Sequence, residues 1–305
     1  MYNKKMKRKC ILLIVGFLLA LNLFCWQEVF VLVSDRNLKV DFFDVGQGDS
    51  AFIQTPEGHK ILIDGGPSSA VLQKLSERMP FWDKSIDLII LTQPEKEHMT
   101  GLLDVLQKYR VNYFLWTGVV KSGAENKKLA DILEKLQGTR QNFMLASLFS
   151  ENTKVITTIA RQEIKAGDVL IETLYPFENL EGKELKNTSN DTCIVSKLIF
   201  GKSSFLFTCD ISSVAEKKII NSKEDVLSDV LKVAHHGSKY STSDIFLEAA
   251  EPKIAVISAG AKNTYGHPTP EVLQRLEKFG IKILRTDKDG DVKMESDGNK
   301  IKIIN

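Results

Sequence analysis

The sequence predicts an α/β domain, preceded by one N-terminal membrane-type helix; two sheets packed face to face with helices outside suit its pattern, as do other α/β arrangements. Three observations carry this expectation. An uncharged, almost wholly apolar stretch, Cys10–Gln27, follows a cluster of cations. Beyond Leu38, short strand-like runs bounded by Gly, Pro and Asp alternate with helix-spaced apolar stripes in both halves of the chain. No repeat, low-complexity tract or Pro/Gly/Ser linker divides the chain after Leu38, so the expected organisation is an anchor over residues 1–33 and one domain over 34–305.

The anchor begins with Lys4, Lys5, Lys7, Arg8 and Lys9, with no acid among them. At about 1.5 Å per residue, Cys10–Gln27 is about long enough to cross a hydrocarbon core. Neither Phe24-Cys25-Trp26 nor Val31-Leu32-Val33-Ser34 offers a small-x-small cleavage site, and Leu23-Phe24 is too bulky for a lipoprotein box. The expectation is an uncleaved signal anchor with the domain outside the cytoplasmic membrane; a shortened, secreted form is the alternative. With those five cations set aside, 36 basic residues face 39 acidic ones, a net of −3. Such a body has no chain-wide footprint for a polyanion, and nucleic acid would need a local patch. A hydrophobic content of 43% with 26% charged residues excludes a disordered chain.

Strands are expected at Leu38–Asp44, Ser50–Gln54, Lys60–Asp64 and Asp87–Thr92. Leu102, Leu103, Leu106 and Tyr109 then share one helix face, as do Leu129, Ile132, Leu133 and Leu136. In the second half, strands near Glu172–Tyr175, Thr192–Phe200, Ser203–Thr208, Val230–Ala234, Lys253–Ser258 and Lys282–Thr286 accompany helices near Val214–Asn221 and Pro270–Phe279. The last helix opens on Thr269-Pro270-Glu271, a hydroxyl cap, a proline at the first position and an acid in the first turn. A hairpin at Gly201-Lys202 pairs Cys193 with Asp210 and Cys209 with Ile194 on the opposite face, so no disulfide is expected between the two cysteines.

Several polar residues fall where strands end. Asp210 follows Phe205-Leu206-Phe207-Thr208-Cys209, and His235-His236 follows Val230-Leu231-Lys232-Val233-Ala234. Alternation along a strand does not allow both histidines to face the core. Glu97-His98 follows the Asp87–Thr92 run and opens a helix; taken alone it reads equally well as a solvated helix start. Asp210 alone reads as a turn former or helix cap. His267, in Tyr265-Gly266-His267-Pro268, sits in a loop ahead of a helix, either as a functional group or as a packing partner of Tyr265. Asp64 before Gly65-Gly66, and Asp44 with Asp49 around Gly46-Gln47-Gly48, read as turn carboxylates near the same edge. His59 reads as a surface residue.

Taken in order, Asp44-Val45-Gly46-Gln47-Gly48-Asp49, Asp64-Gly65-Gly66, Gln93-Pro94-Glu95-Lys96-Glu97-His98, Thr208-Cys209-Asp210 and His235-His236-Gly237-Ser238 resemble the metallo-β-lactamase fold. The resemblance is strongest to the branch found as the soluble C-terminal domain of ComEC-type competence proteins, and it covers roughly Leu38 to Asn305. It implies a four-layer αββα sandwich holding one or two divalent ions, zinc or manganese. Where the family reads His-x-(His or Asp)-x-Asp-His, this chain has Gln93-x-Glu95-x-Glu97-His98. The resemblance therefore assigns Glu95, Glu97, His98, Asp210 and His236 as metal ligands and leaves Gln93, with Asp44, Asp49 and Asp64, behind them. His235, His267 and Ser238 would orient a phosphate or protonate the leaving oxygen, with Lys232, Lys239 and Lys262 as a basic lining. Asn190-Asp191-Thr192 lacks the further histidine many relatives carry there, which makes one metal site histidine-poor. The implied function is metal-dependent hydrolysis of phosphodiesters, as a nuclease in DNA uptake beside channel components. A catalytically degenerate metal- or DNA-binding accessory, and a hydrolase of a cell-surface phosphoester such as a choline-phosphate ester, are the alternatives.

Overall fold

The computed structural model describes residues 2–34, 36–138, 153–185 and 190–304. The chain divides into two compact units, Met1–Asn37 and Leu38–Asn305. The first is a helix, α1 (Tyr2–Ser34), within which Lys7–Trp26 is long and apolar enough to cross a membrane.

The second unit begins with the antiparallel strands β1 (Leu38–Phe42), β2 (Ala51–Gln54) and β3 (Lys60–Ile63). Then come α2 (Ala70–Arg78), β4 (Ser85–Ile90), α3 (Lys96–Lys108), β5 (Arg110–Trp116), β6 (Val120–Lys121), α4 (Ala124–Gly138) and β7 (Lys154–Thr157). The second half supplies β8 (Glu163–Ala166), β9 (Val169–Tyr175), β10 (Glu184–Leu185), β11 (Val195–Phe200), β12 (Ser203–Phe207), α5 (Ser213–Asn221), β13 (Val230–Lys232), α6 (Asp244–Ala250) and β14 (Ile254–Ile257). It closes with α7 (Pro270–Lys278), β15 (Lys282–Arg285), α8 (Thr286–Asp289), β16 (Val292–Ser296) and β17 (Ile301–Ile304). One sheet runs β17-β16-β1-β2-β3-β4-β5-β7 and the other β15-β14-β13-β12-β11-β9-β8, with β10 and β6 paired apart.

Four layers result from where the apolar residues go. Between the sheets, Val40, Phe42 and Ile53 meet Ile171, Phe205 and Val230, and Phe42 stacks on Phe207 at 5.7 Å between ring centroids. Each such buried phenylalanine contributes about 3–5 kcal/mol against its loss to alanine. Outside the first sheet, Leu75, Leu102 and Leu129 bring α2, α3 and α4 onto it. Outside the second, Ile219, Phe246 and Val272 do the same for α5, α6 and α7. In each sheet a parallel set, β3-β4-β5 and β12-β13-β14, ends at one edge. Polar side chains just past those strand ends share that edge.

Three expectations change. Strands β5, β6, β7, β8, β10, β16 and β17 and helices α2, α6 and α8 have no counterpart among the expected elements, although the alternating burial of Val292, Met294 and Ser296 is the pattern of a half-buried strand. Thr269 precedes α7, and Pro270 and Glu271 stand as expected, but its hydroxyl makes no cap. Cys193 and Cys209 form a disulfide with Cα atoms 6.1 Å apart. The β11–β12 register is the expected one, Ser196 facing Phe207, but the ladder stops at Ser196 and Phe207. Both cysteines lie beyond it, and Cys209 turns into left-handed backbone at φ 49°, so alternation no longer fixes which way they face.

Candidate metal centre

Asp210 leaves β12 and its carboxylate becomes the meeting point of three side chains. Its Oδ2 lies 3.1 Å from His98 Nε2 and 3.7 Å from His236 Nε2, and accepts from Gln93 Nε2 at 2.9 Å. All four residues are buried, none more than 2% exposed. The His98 and His236 rings stand 5.7 Å apart.

Each imidazole is held from behind. His98 Nδ1 donates to Asp64 Oδ2 at 2.8 Å, and Asp64 is fixed by the Thr92 amide and hydroxyl at 2.8 and 2.6 Å. His236 Nδ1 donates to the Ser258 carbonyl at 2.9 Å and stands 3.2 Å from Asp49 Oδ1. Asp49 Oδ2 in turn accepts from Lys232 Nζ at 2.7 Å. A carboxylate behind His98 and a backbone carbonyl behind His236 are the partners that fix a metal ligand's tautomer and aim its other nitrogen, with Asp49 a charge neighbour of His236.

The two glycine loops explain how the carboxylates reach that depth. The Asp49 amide donates to the Glu97 carbonyl at 3.2 Å and the Gly65 amide to the His98 carbonyl at 2.7 Å, so both loops are stitched to the first turn of α3. A Cβ on Gly48 would lie 2.2 Å from the Glu97 carbonyl oxygen, and one on Gly65 2.6 Å from the Leu102 amide. Only glycine permits that approach. Asp64, Cys209, His235 and His236 take left-handed backbone, at φ 58°, 49°, 49° and 55°. Such strain, on the order of 1 kcal/mol or more per residue, persists where the surroundings impose it.

Two buried atoms show that the residues fit a cation. Asp210 Oδ1 and His236 Nε2 have no hydrogen-bond partner in the protein, and Asp210, His98 and His236 each present a ligand atom within 4.8 Å of the others. One carboxylate and two imidazoles suit zinc or manganese. Burial pulls the His98 and His236 pKa values down, but Asp210 with Asp64 outweighs it at His98, and Asp210 with Asp49 at His236, so both stand raised. Burial alone would raise Asp49, yet Lys232 and then His236 hold it down to about 2. Burial pushes Asp64 up against the pull of His98 and Thr92. Three buried carboxylates and Lys232 leave a deficit of two positive charges. Two imidazolium protons, or one divalent ion in their place, remove it. A second divalent ion would leave the pocket with uncompensated positive charge, which is costly away from water.

The other expected site residues fall elsewhere. Glu95 pairs with Lys121 through both carboxylate oxygens, drawing it out of the ligand set. Glu97 is half-buried and lies outside that set; its charge is felt at His235. Asp44 receives the Gly46 amide and serves its turn. Lys232 is buried behind Asp49 rather than lining the site, whereas Lys239 and Lys262 are exposed. Ser238, 3% exposed, accepts from the Tyr240 amide within its own turn. His235 is half-buried beside His236, ring to ring at 6.2 Å, and touches His267 at 5.5 Å. Burial, then the neighbouring His235 and His236, lowers His267 to about 4. Sequence reading misses Thr92 and Ser258; both stand at the ends of apolar runs, which is their one signal.

The chain should hold no more than one tightly bound divalent ion. Elemental analysis should find up to one Mn²⁺ or Zn²⁺ per chain, none in Asp210→Asn or His236→Ala, and an unchanged value in Glu95→Ala; two ions per chain would contradict the charge balance. Metal must displace the protons that His98 and His236 carry below their raised pKa values, so affinity should rise with pH and fall as acid returns those protons. Titration calorimetry in buffers of different ionisation enthalpy should record proton release on binding, with a slope of up to about one log unit of affinity per pH unit for each proton displaced. A pH-independent affinity would show that these imidazoles do not ligate.

No family model matches the chain. It is 31% identical over 272 residues to ComE operon protein 3 of Bacillus subtilis, covering 83% of this chain and 32% of that protein. It is 39% identical over 260 residues to competence protein ComA of Neisseria gonorrhoeae, covering 85% of this chain and 32% of that one. The chain thus spans about a third of the length of the curated relatives it matches. Among solved structures, the metallo-β-lactamase fold protein YhfI of Bacillus subtilis superposes with a TM-score of 0.54 at 14% identity, over 86% of this chain and all of that one. The β-hydroxylase CmlA gives 0.52 at 14% identity, over 85% of this chain and 54% of its own. By its sheets and these likenesses, the chain has the metallo-β-lactamase fold and, over most of its length, resembles part of the ComEC-type competence proteins.

Proposed function

We propose that the protein is a metal-dependent phosphodiesterase acting on nucleic acid outside the cytoplasmic membrane, in DNA uptake. The observation that carries the reading is the buried Asp210–His98–His236 group, whose two histidines are aimed from behind by Asp64 and the Ser258 carbonyl. Those three residues would hold the ion. Bound there, a divalent ion supplies Lewis-acid chemistry, making water acidic enough to attack at neutral pH and neutralising charge on a phosphate. His235 and His267 line the approach and would orient phosphate oxygens through their ring nitrogens. Lys239 and Lys262 add local positive charge that a body of net −3 otherwise lacks. The likeness to competence proteins supports the setting, and α1 supports attachment to a membrane.

A second reading, a metal- or DNA-binding accessory without turnover, rests on Gln93. Its amide takes one of the lone pairs of Asp210 at 2.9 Å, where the family carries a ligand.

With Mn²⁺ or Zn²⁺ present, the full chain in detergent should cleave labelled oligonucleotides, and chelator or Asp210→Asn should return cleavage to background. Metal bound without cleavage would favour the accessory; cleavage of a choline-phosphate ester alone would move the substrate to the cell surface. On intact cells, added protease should remove the Leu38–Asn305 unit; protection from protease would contradict the outward placement.

A further inference from the structure

A ladder of aromatic rings leads outward from the candidate metal centre. His236 touches His235, His235 meets His267 edge to face at 5.5 Å, and Tyr265 stacks on His267 with centroids 5.9 Å apart and planes 24° apart. The inner end is buried at the ligands. The outer end, Tyr265, is 69% exposed, an open π-face at the mouth of a polar site.

This mouth is built rather than loose. Asn263 Nδ2 donates to the His267 and Gly260 carbonyls at 2.6 and 2.8 Å, and its Oδ1 accepts the His267 amide at 3.1 Å. Gly260 in turn donates to Gln47 Oε1 at 3.0 Å, tying the loop to the same glycine turn that delivers Asp49. The His267 on which Tyr265 stacks is thus already fixed, which limits the ordering that a ligand on the outer ring must bring about. Lys262 stands exposed three residues before Tyr265. A second exposed ring, Tyr240, carries Lys239 Nζ over its face at 5.3 Å. An exposed ring with lysines near it in sequence is the combination by which proteins take unpaired bases and the phosphates between them. A base in a duplex is stacked on both sides and offers no face, whereas a splayed base does. The same lysines oppose a quaternary ammonium.

We propose that Tyr265, stacked on His267 at the mouth of the metal centre, is a binding subsite for an unpaired nucleobase, which makes single-stranded nucleic acid the preferred ligand. The inference rests on the phosphodiesterase reading for its setting, but its test measures binding without cleavage.

The full chain in detergent, at low salt and in chelator, is titrated into a fluorescent oligothymidylate and into a base-free sugar-phosphate strand of the same length, followed by anisotropy. The wild-type protein should prefer the thymidylate by about tenfold, the scale of one base stacked on an aromatic side chain. Tyr265→Ala should bind both strands as the wild type binds the base-free one, Tyr265→Phe should restore the preference, and the metal content of both variants should match the wild type. The proposal is overturned if the wild type shows no preference, if Tyr265→Ala keeps it, or if phosphocholine competes at Tyr265 and thymidine monophosphate does not. A chain that prefers the thymidylate yet cleaves nothing would sink the hydrolase reading and leave the subsite. One that cleaves strands without preference would do the reverse.

Discussion

The structure depends on a balance of buried charge around Asp210. Asp49, Asp64 and Asp210 bring three carboxylates into a region closed by the two sheets and the start of α3, and Lys232 is the permanent cation buried with them. Such a group tolerates desolvation only if the remaining two charges are supplied locally. The imidazoles of His98 and His236 do this with protons, and a single divalent ion does it better, because it also satisfies Asp210 Oδ1 and His236 Nε2. The glycine contacts and the left-handed turns at Asp64, His235 and His236 serve this arrangement. They bring backbone and carboxylate closer than ordinary strand ends allow.

The departures at Gln93 and Glu95 fit the same balance. Gln93 keeps a hydrogen bond to Asp210 without adding charge, and Glu95 is neutralised by Lys121 beside the site. Neither residue, nor any in Asn190-Asp191-Thr192, stands among the described groups placed to hold a metal ion, whereas His98, Asp210 and His236 do. Each of the two histidines has a carboxylate close to its Nδ1, Asp64 at His98 and Asp49 at His236.

Much of this is legible in the sequence, and the rest has a physical reason for its silence. Strand-end positions locate His98, Asp210 and His236, and the glycine turns mark Asp49 and Asp64 as carboxylates near the same edge. The hairpin register of β11 and β12 is also as expected. What fails lies past the last ladder pair. The Cys193–Cys209 disulfide and the side-by-side placing of His235 and His236 both come from left-handed residues, which period-two reasoning does not see. Lys232 reads as a substrate contact because its type favours solvent. Its partner, Asp49, is 183 residues away in sequence, and long-range pairs of this kind leave no local signature. Glu95 likewise has the chemistry of a ligand, and only the fold shows that Lys121, on a two-residue strand, claims it.

X-ray absorption on the zinc-loaded full chain tests the central claim most directly, because it reports the ion's own surroundings. The expected result is imidazole scattering from two histidines at about 2.0–2.1 Å, oxygen from a carboxylate at a similar distance, and no metal–metal vector. A metal–metal distance of about 3.5–4 Å, the mark of a two-ion site, or a first shell without imidazole, would contradict it.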